Sequence, residues 1–165
     1  MHRNHKFRLA GLFFITIALF SHLLGCTSKP DATSGSANDP KNRLNEYISK
    51  SFSVKSLEDR QTLATYLTGE ARNRLSAWSD EQFRQAFIES KRQFLKLAFR
   101  EVKNHSPTEV QITYELSYID QSKGHDAKVT NKKFCQMVSE NGNWLIRDVQ
   151  NIKELIEFKD ELSLP

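Results

Sequence analysis

Hydrophobic residues between Asn42 and Val149 recur first with the period of a helix and then with the period of a strand. Leu44, Tyr47, Ile48 and Phe52 are spaced as one helical face. Ser56-Leu57-Glu58-Asp59 reads as the next helix start, a Ser cap with an acidic residue three later. Leu57, Leu63, Ala64 and Leu67 continue it as a stripe, and Gly69 is placed to stop it. A short segment, residues 70–78, follows with Leu75 and Trp78 marking its buried side. Ser79-Asp80-Glu81-Gln82 is a second capping-box signature. It opens a helix on which Phe83, Ala86, Phe87, Ser90 and Phe94 share a stripe, while Arg84, Glu89, Lys91 and Arg92 lie off it.

Near Leu95 the period falls to two, as Leu95, Leu97 and Phe99 alternate with Lys96, Ala98 and Arg100. Asn104-His105-Ser106-Pro107 breaks the chain. The clearest strand carries Val110, Ile112, Tyr114, Leu116 and Tyr118 on one face and Gln111, Thr113, Glu115 and Ser117 on the other. One face of such a strand buries while the other meets water, as in many antiparallel sheets. Residues 121–126 form a hairpin loop, and residues 128–139 a strand with apolar residues in both registers, so its inward face stays unassigned. Asn141-Gly142 is the strongest short hairpin signal in the chain and leads into a strand carrying Trp144 and Ile146. The spacing of Ile152, Leu155 and Ile156 predicts a short closing helix. Helices segregated from strands indicate an α+β domain: N-terminal helices packed on a curved antiparallel sheet of about four strands, with a short C-terminal helix.

The first 25 residues have a different pattern. Arg3, Lys6 and Arg8 precede an apolar run over residues 9–20, which Ser21 and His22 interrupt. That run suits a secretory signal, whose apolar core is about 7–15 residues. It is short of the about 20 residues of a spanning helix. Leu23-Leu24-Gly25-Cys26 follows. Residues 27–40, TSKPDATSGSANDP, contain no large apolar side chain and read as a tether, with an average reach of roughly 20 Å. The organisation expected is therefore a signal over residues 1–25, Cys26 and a tether through residue 40, and one α+β domain over residues 41–165.

Charge changes its meaning once the signal is set aside. The whole chain has 24 Lys and Arg against 20 Asp and Glu, but without Arg3, Lys6 and Arg8 only 21 stand against 20. No basic cluster longer than Lys132-Lys133 is present, which argues against a nucleic-acid partner. With Cys26 set apart, Cys135 has no partner for an internal disulfide and reads as a small buried hydrophobe. Of the eleven phenylalanines, Phe7, Phe13, Phe14 and Phe20 belong to the signal. The other seven read as core, or as the lining of an apolar pocket.

Charge, apolar run, small residue and cysteine in this order resemble the signal and lipobox of bacterial lipoproteins. The resemblance implies a diacylglycerol on the Cys26 thiol, cleavage before Cys26 and an acyl chain on the new amine. It also implies a membrane partner through that anchor. Thr27, where an Asp would signal inner-membrane retention, implies the outer membrane facing the periplasm. The order of helices and strands, ending in Glu140-Asn141-Gly142-Asn143-Trp144-Leu145-Ile146, resembles the nuclear-transport-factor-2-like superfamily. That resemblance implies a cone-like sheet wrapped around the helices, with a pocket. It leaves activity open, because the superfamily includes isomerases, dehydratases, hydrolases, ligand binders and assembly modules.

Acid–base chemistry in such a pocket needs a carboxylate and an acid facing an apolar space. Tyr114, Tyr118, Asp120 and Asp148 are the candidates, but the two tyrosines are better explained as core aromatics, Asp120 as a turn residue and Asp148 as a solvated or salt-bridged position. His105 and His125 fall in predicted loops, and His125-Asp126 gives two ligands where a structural zinc site has four. No cofactor motif is present. The leading expectation is a lipid-anchored, non-catalytic envelope domain that binds a protein partner or an apolar ligand. A small isomerase- or hydrolase-type pocket enzyme and a structural subunit of an envelope complex are the alternatives.

Overall fold

The computed structural model describes residues 39–158. The expected signal, Cys26 and the expected tether up to residue 38 lie outside the described residues. Asp39 and Pro40 are the N-cap and first residue of helix α1, Pro40–Ser51. Pro at this position gives up only an amide that a helix leaves unpaired, and the Asp39 carboxylate accepts from the Lys41 amide at 2.8 Å. Leu44 and Ile48 form the buried stripe of α1.

Helix α2, Asp59–Ala64, starts differently from the expected Ser cap. Its Asp59 carboxylate reaches back and accepts from the Lys55 amide at 2.8 Å and the Ser56 amide at 3.0 Å. Gly69 does not end this helix. It is the first residue of α3, Gly69–Ala77, at φ +50°. Helix α4, Asp80–Phe83, has the predicted capping box between Ser79 and Gln82. It runs into a π turn over Arg84–Ile88 and stops there. Phe94, expected on the helical stripe, lies instead on strand β1, Arg92–Ser106.

Strands β1, β2 (Glu109–Asp120), β3 (Lys128–Glu140) and β4 (Asn143–Glu157) form an antiparallel sheet in chain order. Among the described residues no helix follows this sheet, which corrects the expected short C-terminal helix. Residues 152–156 are strand: Ile156 pairs with Val129, Leu155 with Thr130 and Glu154 with Asn131. The physical reason is the free edge of β3. Its backbone amides and carbonyls need partners, and a ladder gives them to a segment whose local spacing alone would suit a helix.

The inner face of the sheet is buried under the helices. On β2 the buried residues are Val110, Ile112, Tyr114, Leu116, Tyr118 and Asp120. On β3 they are Val129, Asn131, Cys135 and Met137, so the register pattern that the sequence left ambiguous is settled by pairing to β2. Together with Leu44, Ile48, Leu63, Leu75, Phe83 and Ile146 the apolar members make one core. Full burial of each large apolar side chain contributes about 1.5–3 kcal/mol.

Backbone and arginine contacts fix the helical part on β4. The Tyr66 carbonyl accepts from the Ile146 amide at 2.8 Å, and the Ile146 carbonyl from the Thr68 amide at 2.9 Å. Arg43 on α1 donates to the Trp144 carbonyl at 3.3 Å and the Thr65 carbonyl at 3.1 Å, with its guanidinium 3.9 Å from the centre of the Tyr66 ring. Arg74 on α3 meets the Asp148 carboxylate at 2.6 Å. Among the described residues no helix is long and apolar enough to cross a membrane.

Candidate functional site

The helices cover the inner face unevenly. Near the β2–β3 loop, Phe94 on β1 is 42% exposed, and Asn151 and Glu154 on β4 are exposed, whereas Tyr118 and Asn131 on the central strands are buried. This end of the face holds an aromatic group. The ring of Phe52, just past α1, stands edge-on to Phe94 at 5.6 Å and tilted to Tyr118 at 5.8 Å. Arg92, the first residue of β1, places its guanidinium 5.7 Å from the Phe52 ring centre, 5.9 Å from Tyr118 and 6.0 Å from Phe87. These are cation–π distances, and they hold a positive charge against apolar rings. Arg92 also donates to the Ala86 carbonyl within the π turn.

Beside the rings lies a polar group built by β-sheet register. Tyr118 pairs with Val129, and Asn131 follows two residues later on the same face. The Asn131 Nδ2 donates to the Tyr118 hydroxyl at 3.1 Å. Its Oδ1 is buried and has no hydrogen-bond partner among the described residues. Lys133 is the next inward residue of β3. Burial holds its ammonium below the ordinary value, Arg92 adds to this effect, and Glu154 opposes it. Burial likewise raises the Tyr118 hydroxyl, with Arg92 acting in the opposite direction and Glu154 and Asp120 in the same direction. A cleft of about 610 Å³ opens beside Arg92, between the Gln85–Glu89 side and the turn at Asp120, Gln121 and Ser122.

The four residues singled out from sequence divide between three places. Tyr118 and Asp120 share this end of the inner face. Asp120 begins the β2–β3 loop, where its Oδ1 accepts from the Ser122 amide at 3.1 Å and the Ser122 hydroxyl at 2.5 Å. Tyr114 is deeper in the core. Burial raises its hydroxyl well above the ordinary value, and Cys135 and Tyr47 are its electrostatic neighbours. Asp148 pairs with Gln136, outside the core, and the hydrogen bond from Arg74 holds its carboxyl below the usual value. Tyr114 and Asp148 are thus not brought to Tyr118.

Arg92, Asn131, Lys133 and Glu154 do not stand out in the sequence. Arg92 reads there as the polar side of a helix, and the mixed pattern of β3 hides Asn131 and Lys133. The one available signal is the pair of polar residues spaced two apart in a strand whose other members at that spacing, Val129, Cys135 and Met137, are apolar. Cys135 is fully buried and its thiol is pushed up by that burial, so it is held as the thiol rather than the reactive thiolate. Among the described residues no group of three or more His, Cys, Asp or Glu comes together to hold a metal, and His125 meets Asp126 at 3.2 Å.

No protein-family model and no curated protein matches the chain. Among solved structures it is similar to the solution structure of a SEC-C motif containing protein from Rhodopseudomonas palustris, with a TM-score of 0.51 and 14% identity over 72% of this chain and 83% of that one. At that identity the likeness concerns the fold alone. What the fold and the geometry define is an α+β domain with a four-stranded antiparallel sheet and a half-open, aromatic and cationic end on its inner face.

Proposed function

We propose that this chain is a lipid-anchored envelope protein whose domain binds a small apolar ligand at the open end of its sheet, without catalysis. The observation that carries the ligand reading is the ring group of Phe52, Phe94 and Tyr118 around Arg92, open to solvent on the Phe94 side. Small-molecule sites are typically concave and mostly apolar, with a few placed polar groups. The acid–base alternative has less support, because Tyr114 is buried in the core with Cys135 and Tyr47, not a carboxylate, as its electrostatic neighbours. Order of helices and strands supports the resemblance to the nuclear-transport-factor-2-like superfamily only at the level of an α+β domain. The anchor rests on Leu23-Leu24-Gly25-Cys26 behind its basic and apolar run.

Two measurements test the two halves of this reading. Metabolic labelling with a palmitate analogue is expected to mark the wild-type chain and not Cys26→Ser, and label that persists in the variant refutes lipidation at Cys26. Titration of the full chain with the neutral dye Nile red is expected to give saturable binding that Phe94→Asp abolishes. Phe94 is exposed enough for that substitution to leave the core intact. Undiminished binding in the variant removes the proposed ligand seat.

A further inference from the structure

The charges at the open end of the sheet are unevenly paired. Both nearby carboxylates are committed: Asp120 holds Ser122, and Glu154 lies 3.6 Å from Lys123. The two inward cations are not. Arg92 makes one side-chain hydrogen bond, to a neutral carbonyl, and forms no ion pair among the described residues. The Lys133 ammonium makes neither a hydrogen bond nor an ion pair there, although it sits partly buried between the inward positions of Asn131 and Cys135. A desolvated ammonium with only the Glu154 charge, beyond contact distance, to offset it is costly, and a cation held against ring faces keeps its attraction for an anion. Asn131 can add a donor. The residue is only 4% exposed, and its Nδ2 spends one of its two N–H groups on Tyr118, leaving the other for an anion, whereas its unpaired Oδ1 is an acceptor and offers an anion nothing. The Tyr118 hydroxyl accepts from Asn131 and so retains its own proton to donate.

Resting on the ligand seat proposed above, we infer that its occupant is an apolar organic acid. Its anionic head lies between Lys133 and Arg92, beside Tyr118 and Asn131, and its apolar body on Phe52 and Phe94. The register explains why these groups meet. Arg92 pairs with Asp120 and Phe94 with Tyr118, while Asn131 and Lys133 are successive inward positions of the next strand. Cations, phenol and amide are therefore within a few strand positions, with the rings along one side. An uncharged ligand of the same shape gains the ring contacts but leaves both cations unmatched. A ligand bearing a second cation meets a site whose carboxylates are already used.

The test uses the full chain in phosphatidylcholine nanodiscs, titrated calorimetrically with phenylbutyrate and with phenylbutanol, with empty nanodiscs subtracted. The acid is expected to bind about ten-fold more tightly than the alcohol, because a charge-assisted pair in a desolvated site outweighs a neutral hydrogen bond. Lys133→Met, which keeps the stem and removes the charge, is expected to reduce the acid-over-alcohol preference to about two-fold or less. Lys133→Arg is expected to retain it. Equal affinity of acid and alcohol in the wild-type chain, or a preference that survives Lys133→Met, overturns the inference while leaving an apolar seat in place. Binding of neither compound overturns the seat itself. Repeating the titration in phosphatidylglycerol nanodiscs separates the sources of the anion. Competition there assigns the site to a lipid headgroup, and its absence assigns the site to a free acid.

Discussion

The side-chain amide of Asn131 and the hydroxyl of Tyr118 meet at 3.1 Å across the two central strands, and this bond leaves the other end of the amide unpaired. Tyr118→Phe leaves both ends of the buried amide without a partner, at an expected cost of about 1–3 kcal/mol. Adding Asn131→Leu to that variant removes the stranded amide and is expected to recover most of the loss. Urea denaturation of the two single variants and the double variant closes the cycle. Simple addition of the two single losses contradicts this account.

Phe83 joins the short helix α4 to the core. It is fully buried, its ring tilted against Phe87 at 4.9 Å, with the Arg60 guanidinium 4.7 Å from its ring centre. Phe83→Ala is expected to destabilise the domain by about 3–5 kcal/mol. Trp78, 37% exposed and tilted against Phe87 at 5.7 Å, covers the same group from outside, so Trp78→Ala is expected to cost less. Chemical denaturation of both variants gives the order, and a larger loss at Trp78 reverses the assignment of inside and outside.

Gly69 is the position where a side chain is excluded twice. Its φ is +50°, and a Cβ there would lie 3.0 Å from the Arg147 Cγ. Gly69→Ala is expected to destabilise by more than about 1 kcal/mol, since both the backbone and the Arg147 side chain must adjust. Arg147 is held by Glu109 on β2, which limits its freedom to move away. Thermal unfolding measures the loss, and no change in Tm argues against this conformation.

Alkaline pH tests the buried phenols. Burial, the largest cause, raises the Tyr47 hydroxyl from 10.0 to about 12, and Tyr114 also lies well above 10.0. In the unfolded chain both release their protons near 10, whereas the folded chain retains them. Their contribution is therefore fully present below pH 10 and falls as pH rises through the folded value of about 12. Lys133 acts with the opposite sign. Its lowered folded value makes stability rise with pH between that value and 10.5. Tm is expected to fall above pH 10, and Tyr47→Phe to flatten the fall. A parallel decline in the variant assigns the effect elsewhere.

Strand β2 is legible in the sequence because a half-buried strand writes its environment at every second position. Val110, Ile112, Tyr114, Leu116 and Tyr118 are all buried as their alternation predicts. The Ser79–Gln82 box and the Asn141-Gly142 turn are legible for a similar reason. Each is a local demand, met by a side-chain cap in one case and by positive φ at both residues in the other. Ile152, Leu155 and Ile156 mislead because three apolar residues at that spacing fit a helix as well as a bulged strand. The register shift opposite Lys132 and Lys133 is the irregularity that lets a strand carry such a spacing. Phe94 misleads because the π turn ends the helix early, which no residue type announces.

Sequence by itself determined the α+β class, the order of helices and strands up to residue 149, and the inward face of β2, because these follow from periodicity and turn chemistry within a few residues. Tertiary structure alone decided that residues 152–156 complete the sheet, since that depends on a free edge contributed by β3. It alone decided, too, that Arg92, Tyr118 and Asn131 come together beside the rings of Phe52 and Phe94, with Lys133 at the next inward position of β3. These residues come from the end of one helix and three strands. Only strand register and the covering helices set the distances between them, and neither is encoded at any single position.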